Sequence, residues 1–125
     1  MPSSKGRVLI VDDEPPVAAM LEAVVTALGY TPQVASTGSD ALRVIPEFRP
    51  DVVLLDIALP DVRGEIVLDT LRTTDPRLPV IMVTGNPDAT LARSTLAHGA
   101  FDYVGKPFKL ERLRQVLEAA IAYRA

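Results

Sequence analysis

The sequence predicts an α/β fold in which one parallel five-stranded sheet carries helices on both faces, a three-layer sandwich. Two observations lead there. Five short apolar runs alternate along the chain with five segments whose apolar residues recur at helical spacing. The strongest runs, Arg7–Val11 and Val52–Asp56, carry four consecutive apolar residues each instead of alternating, which marks strands buried on both faces of a parallel sheet. Such strands need right-handed crossovers, and the intervening helices supply them.

The elements follow in order. Residues 1–6 form a short polar tail ahead of the first strand. Pro15 and Pro16 suit the opening of a helix, with Asp13 or Glu14 as its cap, and Val17, Met20, Leu21, Val24, Val25 and Leu28 give it an apolar face. Gly29 ends that helix in the left-handed conformation, and Tyr30 packs beside it. Residues 31–36 make a strand that belongs at a sheet edge, because Pro32 has no N–H to give a ladder. Ser39, Ala41, Leu42, Val44, Ile45 and Phe48 describe a second helix whose extent Pro46 limits.

After the strand Val52–Asp56 comes a loop over 57–64, shaped by Pro60, and then a third helix using Ile66, Val67 and Leu71. Residues 79–83 are a buried strand ending on Thr84-Gly85-Asn86, residues 87–97 a weakly amphipathic helix, and residues 100–104 the last strand. Leu110, Leu113, Val116, Leu117, Ala120 and Ile121 give a strongly periodic final helix.

Composition narrows the function. The 125 residues suit one domain, 48% hydrophobic and 23% charged, a globular balance. A net charge of −3 argues against direct nucleic-acid binding. No apolar stretch approaches the ~20 residues of a membrane span, and no secretory leader is legible. Without cysteine there is neither a disulfide framework nor a thiolate metal site, which is compatible with a cytoplasmic location.

In a parallel sheet the ligand site lies outside the carboxyl ends of the strands. Asp12, Asp13, Asp56, Thr84 and Lys106 each follow an apolar strand, so all are predicted at that edge. Gathered carboxylates raise one another's pKa unless a cation joins them. A carboxylate set without Cys or His suits a hard cation, and Mg²⁺ is the usual choice where waters and phosphate oxygens complete the shell. A carboxylate can also act as nucleophile and form an aspartyl phosphate. Asp56, at the end of the central strand, is the candidate acceptor. Asp13, with Asp12 acting largely through water, would hold the metal. Lys106 offers an ammonium and Thr84 a hydroxyl to the phosphoryl oxygens.

These residues carry a resemblance. Val11-Asp12-Asp13-Glu14, Leu55-Asp56 with Pro60 and Gly64 behind it, Val83-Thr84-Gly85 and Tyr103-Val104-Gly105-Lys106-Pro107-Phe108 together resemble the receiver domain of two-component response regulators, from about residue 7 to residue 121. The resemblance implies a flavodoxin-like (βα)5 fold with strand order 2-1-3-4-5. It further implies that Asp56 takes a phosphoryl group from a histidine kinase, a phosphotransfer protein or a small phosphodonor. Asp13, Asp56 and the Ala58 backbone carbonyl would ligate Mg²⁺, with Asp12 assisting. Lys106 would pair with the phosphoryl oxygens, preceding a cis Lys106–Pro107 bond. Thr84 and Tyr103 would form a switch read out at the surface of the fourth helix, last strand and last helix, toward an effector domain or protein or a second copy. Ala58 and Asn86 flank the site and would set the phosphoryl lifetime, while small Gly85 leaves it accessible. The domain is then a signalling element and not an enzyme acting on external substrates, either free-standing or part of a longer regulator or hybrid kinase.

Plainer readings exist for each member. Asp13 can be a helix cap, Thr84 a turn hydroxyl, Lys106 a solvated lysine and Tyr103 core filling. The basic residues of the final helix are first its solvated face. His98, the sole histidine, reads as a partner for a helix C-terminus. The functional reading rests on the joint pattern. An Asp-dependent phosphatase would want a second acid where Ala58 stands, and a flavin module would want a phosphate loop where Asp12-Asp13-Glu14 would repel one. The alternative that remains is a phosphorylation-independent docking or dimerisation module.

Overall fold

The computed structural model describes residues 3–85 and 89–124, with the side chains of residues 89–92 outside that description. The order is β1 (Arg7–Val11), α1 (Pro15–Ala27), β2 (Thr31–Ala35), α2 (Gly38–Phe48), β3 (Val52–Asp56), α3 (Gly64–Thr74), β4 (Val80–Thr84), α4 (Ala89–Ala97), β5 (Asp102–Gly105) and α5 (Leu110–Arg124). All pairings are parallel and the sheet order is β2-β1-β3-β4-β5. The flavodoxin-like topology is the one the resemblance implies, and Pro32 lies in an edge strand as its missing donor requires.

Side chains alternate across the sheet and feed two separate cores. Val8, Ile10, Leu54, Ile81, Val83 and Val104 face α1 and α5, packing on Leu21, Val25, Leu113 and Leu117. Leu9, Val11, Val53, Leu55, Val80 and Met82 face α2 and α3, packing on Ala41, Val44, Val67, Leu68 and Leu71. Every residue of β3 and β4 is buried, and β3 pairs with β1 at the point where the strand order reverses.

Most boundaries fall within two residues of the sequence prediction, and the differences have local causes. Helix α1 begins at Pro15, because two prolines fit the first turn where no intrahelical N–H bond is lost; its N-cap is Glu14, whose side chain makes no capping bond. Helix α2 begins at Gly38, capped by Thr37, whose hydroxyl accepts the Asp40 N–H at 3.0 Å. Pro46 sits inside α2, and the helix runs only to Phe48 before Arg49 turns it off at φ 54°. Strand β5 starts at Asp102, because Ala100 still bonds back to Thr95 in the turn that Gly99 makes at φ 98°. The predicted start of α4 at Pro87 and the flanking Asn86 lie outside the described residues. Gly29, at φ 99°, ends α1 as expected. Among the described residues no helix is long and apolar enough to cross a membrane.

Candidate functional site

Strand register assembles the site. Val11 pairs with Leu55 between β1 and β3, so Asp12 and Asp56, one step further along each strand, come out side by side. The same alternation that turns Ile10 and Leu54 toward α1 and α5 turns Asp12 and Asp56 that way. On the far side of β4, Thr84 pairs with Gly105, which puts Lys106 just past the edge. The Lys106 N–H donates to the Thr84 carbonyl at 2.8 Å, and the Lys106–Pro107 bond is cis.

The side chains converge. Lys106 Nζ lies 3.4 Å from Asp56 Oδ2 and 3.3 Å from Asp12 Oδ2, bridging the two buried carboxylates. Asp56 Oδ1 accepts the Ala58 N–H at 3.0 Å, and Asp12 Oδ1 accepts the Glu14 N–H at 3.0 Å. Asp12 Oδ2 has the lysine's charge nearby but no aligned hydrogen bond. That buried acceptor is under-satisfied, a condition native interiors rarely leave without a reason. Thr84, also buried, closes the end of β4.

Burial raises the Asp56 pKa above the ordinary carboxylate range, and neighbouring Asp12 adds to the rise; the Ala58 N–H and the Lys106 ammonium offset it only in part. Burial works to lower the Lys106 pKa, but Asp56 and Asp12 together outweigh it and hold the ammonium above its usual value. One lysine therefore serves two carboxylates, and the site holds more negative charge than its own cation balances.

That surplus is the opening for a metal ion. Asp12, Asp13, Glu14 and Asp56 each present an oxygen, and the four oxygens lie within 4.8 Å of one another. Opposite ligands around Mg²⁺ stand about 4.2 Å apart, so a slight contraction would fit the ion. The donor set is all oxygen, as a hard cation prefers, and it includes Asp12, whose Oδ2 is under-satisfied. The residues present fit the group.

A cleft of about 370 Å³ opens over Asp56, bordered by Glu14, Ala58, Thr84, Gly85 and Lys106. Asp12 and Asp13 also border a neighbouring cleft of about 330 Å³ against α1 and Ser36. A larger groove of about 510 Å³ between α2 and α3 holds none of these residues, so size does not decide where chemistry is possible. Among the described residues, a Cβ at Gly85 would meet only Lys106 Cδ, at 3.8 Å.

Of the residues singled out in the sequence, Asp12, Asp13, Asp56, Ala58, Thr84 and Lys106 come together here. Tyr103 does not reach the cleft. Its partner in the register is Met82, two residues before Thr84 on the same sheet face, and the residue is 39% exposed. His98 is not spent on a helix terminus alone; its Nδ1 lies 2.8 Å from Asp69 Oδ1 on α3. Sequence reasoning placed Glu14 in the acidic motif and as a possible cap but left it out of the candidate metal-binding set, which the structure extends to it. The signal was present, since it continues the run Asp12-Asp13. Sequence reasoning missed Asp61, whose carboxylate reaches across to α2.

The response regulator receiver domain family model matches residues 8–118. The chain is 39% identical over 116 residues to the regulatory protein AtoC of Escherichia coli, covering 93% of this chain and 25% of that protein. It is 42% identical over 113 residues to the DNA-binding response regulator MtrA of Mycolicibacterium smegmatis, covering 90% of this chain and 49% of that one. The chain thus spans a quarter to a half of the length of these curated relatives. The solved receiver domain of NtrX from Brucella abortus superposes with a TM-score of 0.88 at 33% identity, over 92% of this chain and 98% of that one.

Proposed function

The chain belongs to the response regulator receiver domain family, and from that membership we propose that it is a phosphorylation-activated switch whose acceptor is Asp56. The observation that carries the reading is the placement of Lys106 Nζ 3.4 Å from Asp56 and 3.3 Å from Asp12 at the carboxyl edge of the sheet. An acid held half-neutralised beside an ammonium and a hydroxyl suits a group that must accept a phosphoryl and keep its charge balanced.

In the proposed step an Asp56 carboxylate oxygen attacks phosphorus in line. The P–N bond of a kinase phosphohistidine, or the P–O bond of a small acyl phosphate, breaks with its electron pair leaving on the donor. Lys106 turns from the carboxylates toward the new phosphoryl oxygens, and Thr84 donates its hydroxyl to another. Asp13, Asp56 and the Ala58 carbonyl would hold Mg²⁺, with Asp12 bound through water. When present the ion neutralises charge on the phosphoryl oxygens. Glu14, close enough to join them, borders the entrance.

Once Thr84 has moved, Tyr103 on the same sheet face has space to turn inward from its exposed position, altering the surface of α4, β5 and α5. A histidine kinase or phosphotransfer protein upstream, and an effector domain, a separate protein or a second copy downstream, complete the proposal.

Incubation with acetyl phosphate and Mg²⁺ followed by intact mass tests it. The wild type gains one phosphoryl mass and Asp56→Asn gains none. An unmodified wild type would favour the phosphorylation-independent docking module instead.

A further inference from the structure

The loop between β3 and α3 leaves the sheet directly after Asp56 and lines the cleft through Ala58. Its two ends are fixed by backbone bonds, Ile57 N–H to Val83 at 3.2 Å and Gly64 N–H to Ile57 at 3.0 Å. Between them Ala58, Pro60, Asp61 and Arg63 are exposed. Asp61 ties this exposed stretch to another element. Its Oδ1 accepts the Gly38 N–H at 2.9 Å, and its Oδ2 accepts the Ser39 N–H at 3.0 Å and the Ser39 hydroxyl at 2.7 Å. Those bonds, from the Ser39 hydroxyl first, hold the Asp61 carboxyl far below the usual carboxylate range.

Gly38 and Ser39 open α2, whose N-terminal amides and dipole favour an anion. That helix already has its own cap in Thr37, which occupies the Asp40 N–H. Asp61 therefore takes the Gly38 and Ser39 N–H groups that Thr37 leaves over, and does so from a different element. Its distinctive effect is on the loop. The approach is close: a Cβ at Gly38 would stand 2.9 Å from Val67 Cγ2 on α3 and 3.1 Å from Val62 Cβ in the loop, so a larger residue there would push α2 and these neighbours apart. The tie also reaches the other half of the acid group. The segment leading into α2 begins at Ala35, whose carbonyl accepts the Asp12 N–H at 3.1 Å, and Ser36 borders the cleft beside Asp12 and Asp13.

We propose that Asp61 is a positioning residue for the acid site: it clamps the loop after Asp56 to the start of α2 and so sets where the Ala58 backbone stands beside the carboxylates. The proposal deepens the phosphoryl-acceptor reading, and two of its three readouts depend on the acid site working as proposed.

The test compares Asp61→Ala with Thr37→Ala, which loosens the same helix without touching the loop. Misplacing a ligand by a fraction of an ångström has large kinetic effects. Asp61→Ala is expected to weaken Mg²⁺ binding by titration several-fold and to slow modification by acetyl phosphate about tenfold at saturating Mg²⁺. Thr37→Ala is expected to lose at least as much thermal stability while both values stay within about twofold of wild type. Asp61→Ala should also speed amide exchange at Ala58, Leu59 and Val62, which Thr37→Ala should not. Wild-type values in Asp61→Ala, or equal losses in Thr37→Ala, would overturn the role. Should the wild type bind no Mg²⁺ and take no phosphoryl, the acceptor reading fails. Amide exchange then decides the clamp by itself: unchanged loop exchange in Asp61→Ala refutes it.

Discussion

The decisive residues are few, and the sign of each interaction matters. Asp56 is buried with its pKa raised, so the folded state holds its proton to a higher pH than the unfolded chain does. Stability then falls as pH rises from the ordinary carboxylate range, about 4, through the folded value, and stays lower above it. Asp56→Asn keeps the shape and removes the charge. In EDTA at pH 7 it should melt a few degrees above wild type, and the gap should shrink as the pH is lowered through that range. A lower melting temperature at pH 7 would show that the Lys106 pairing outweighs burial. Asp61 has the opposite sign. Its depressed pKa means that its contribution is complete above the ordinary carboxylate range and is lost only in stronger acid, so the clamp persists wherever the site can work.

At the scale of elements, glycines show where backbone must approach backbone. Gly64, opening α3, would place a Cβ 2.7 Å from the Asp56 carbonyl and 2.8 Å from Ile57 Cα. Gly64→Ala should cost about 1–3 kcal/mol by chemical denaturation, because neither contact can yield without moving the strand end that carries Asp56. Gly85→Ala, with 3.8 Å to a flexible lysine stem, should leave stability within about 0.5 kcal/mol of wild type. Equal costs at the two positions would show that backbone approach is not what selects Gly64. The elements themselves were legible because continuous Val and Leu runs and helical spacing record burial directly. What the sequence left hidden depends on contacts between distant segments. Nothing in Asp61 or Ser39 announces that a loop will cap a helix 22 residues away. Likewise, the spacing of His98 and Asp69 carries no sign of their contact.

For the whole molecule, the sheet is the device that converts sequence order into a site. Two cores, one on each face, hold β1, β3 and β4 in fixed register, and the register brings Asp12, Asp56 and Lys106 together from positions far apart in the chain. That convergence could be foreseen from where each apolar run stops, since strand ends in a parallel sheet share one edge. Glu14's place in the acid group was hinted at by its continuing the run Asp12-Asp13, but it also depends on how the first turn of α1 leaves the strand. Asp56, among four neighbouring carboxylates, is proposed as the one that becomes an acyl phosphate. Borohydride reduces an aspartyl phosphate to homoserine, so the protein treated with acetyl phosphate and Mg²⁺, then reduced and mapped by peptide mass spectrometry, reports the acceptor directly. Homoserine at position 56 alone is the expected result; homoserine at Asp12 or Asp13, or at none of the four carboxylates, would rule out Asp56 as the acceptor.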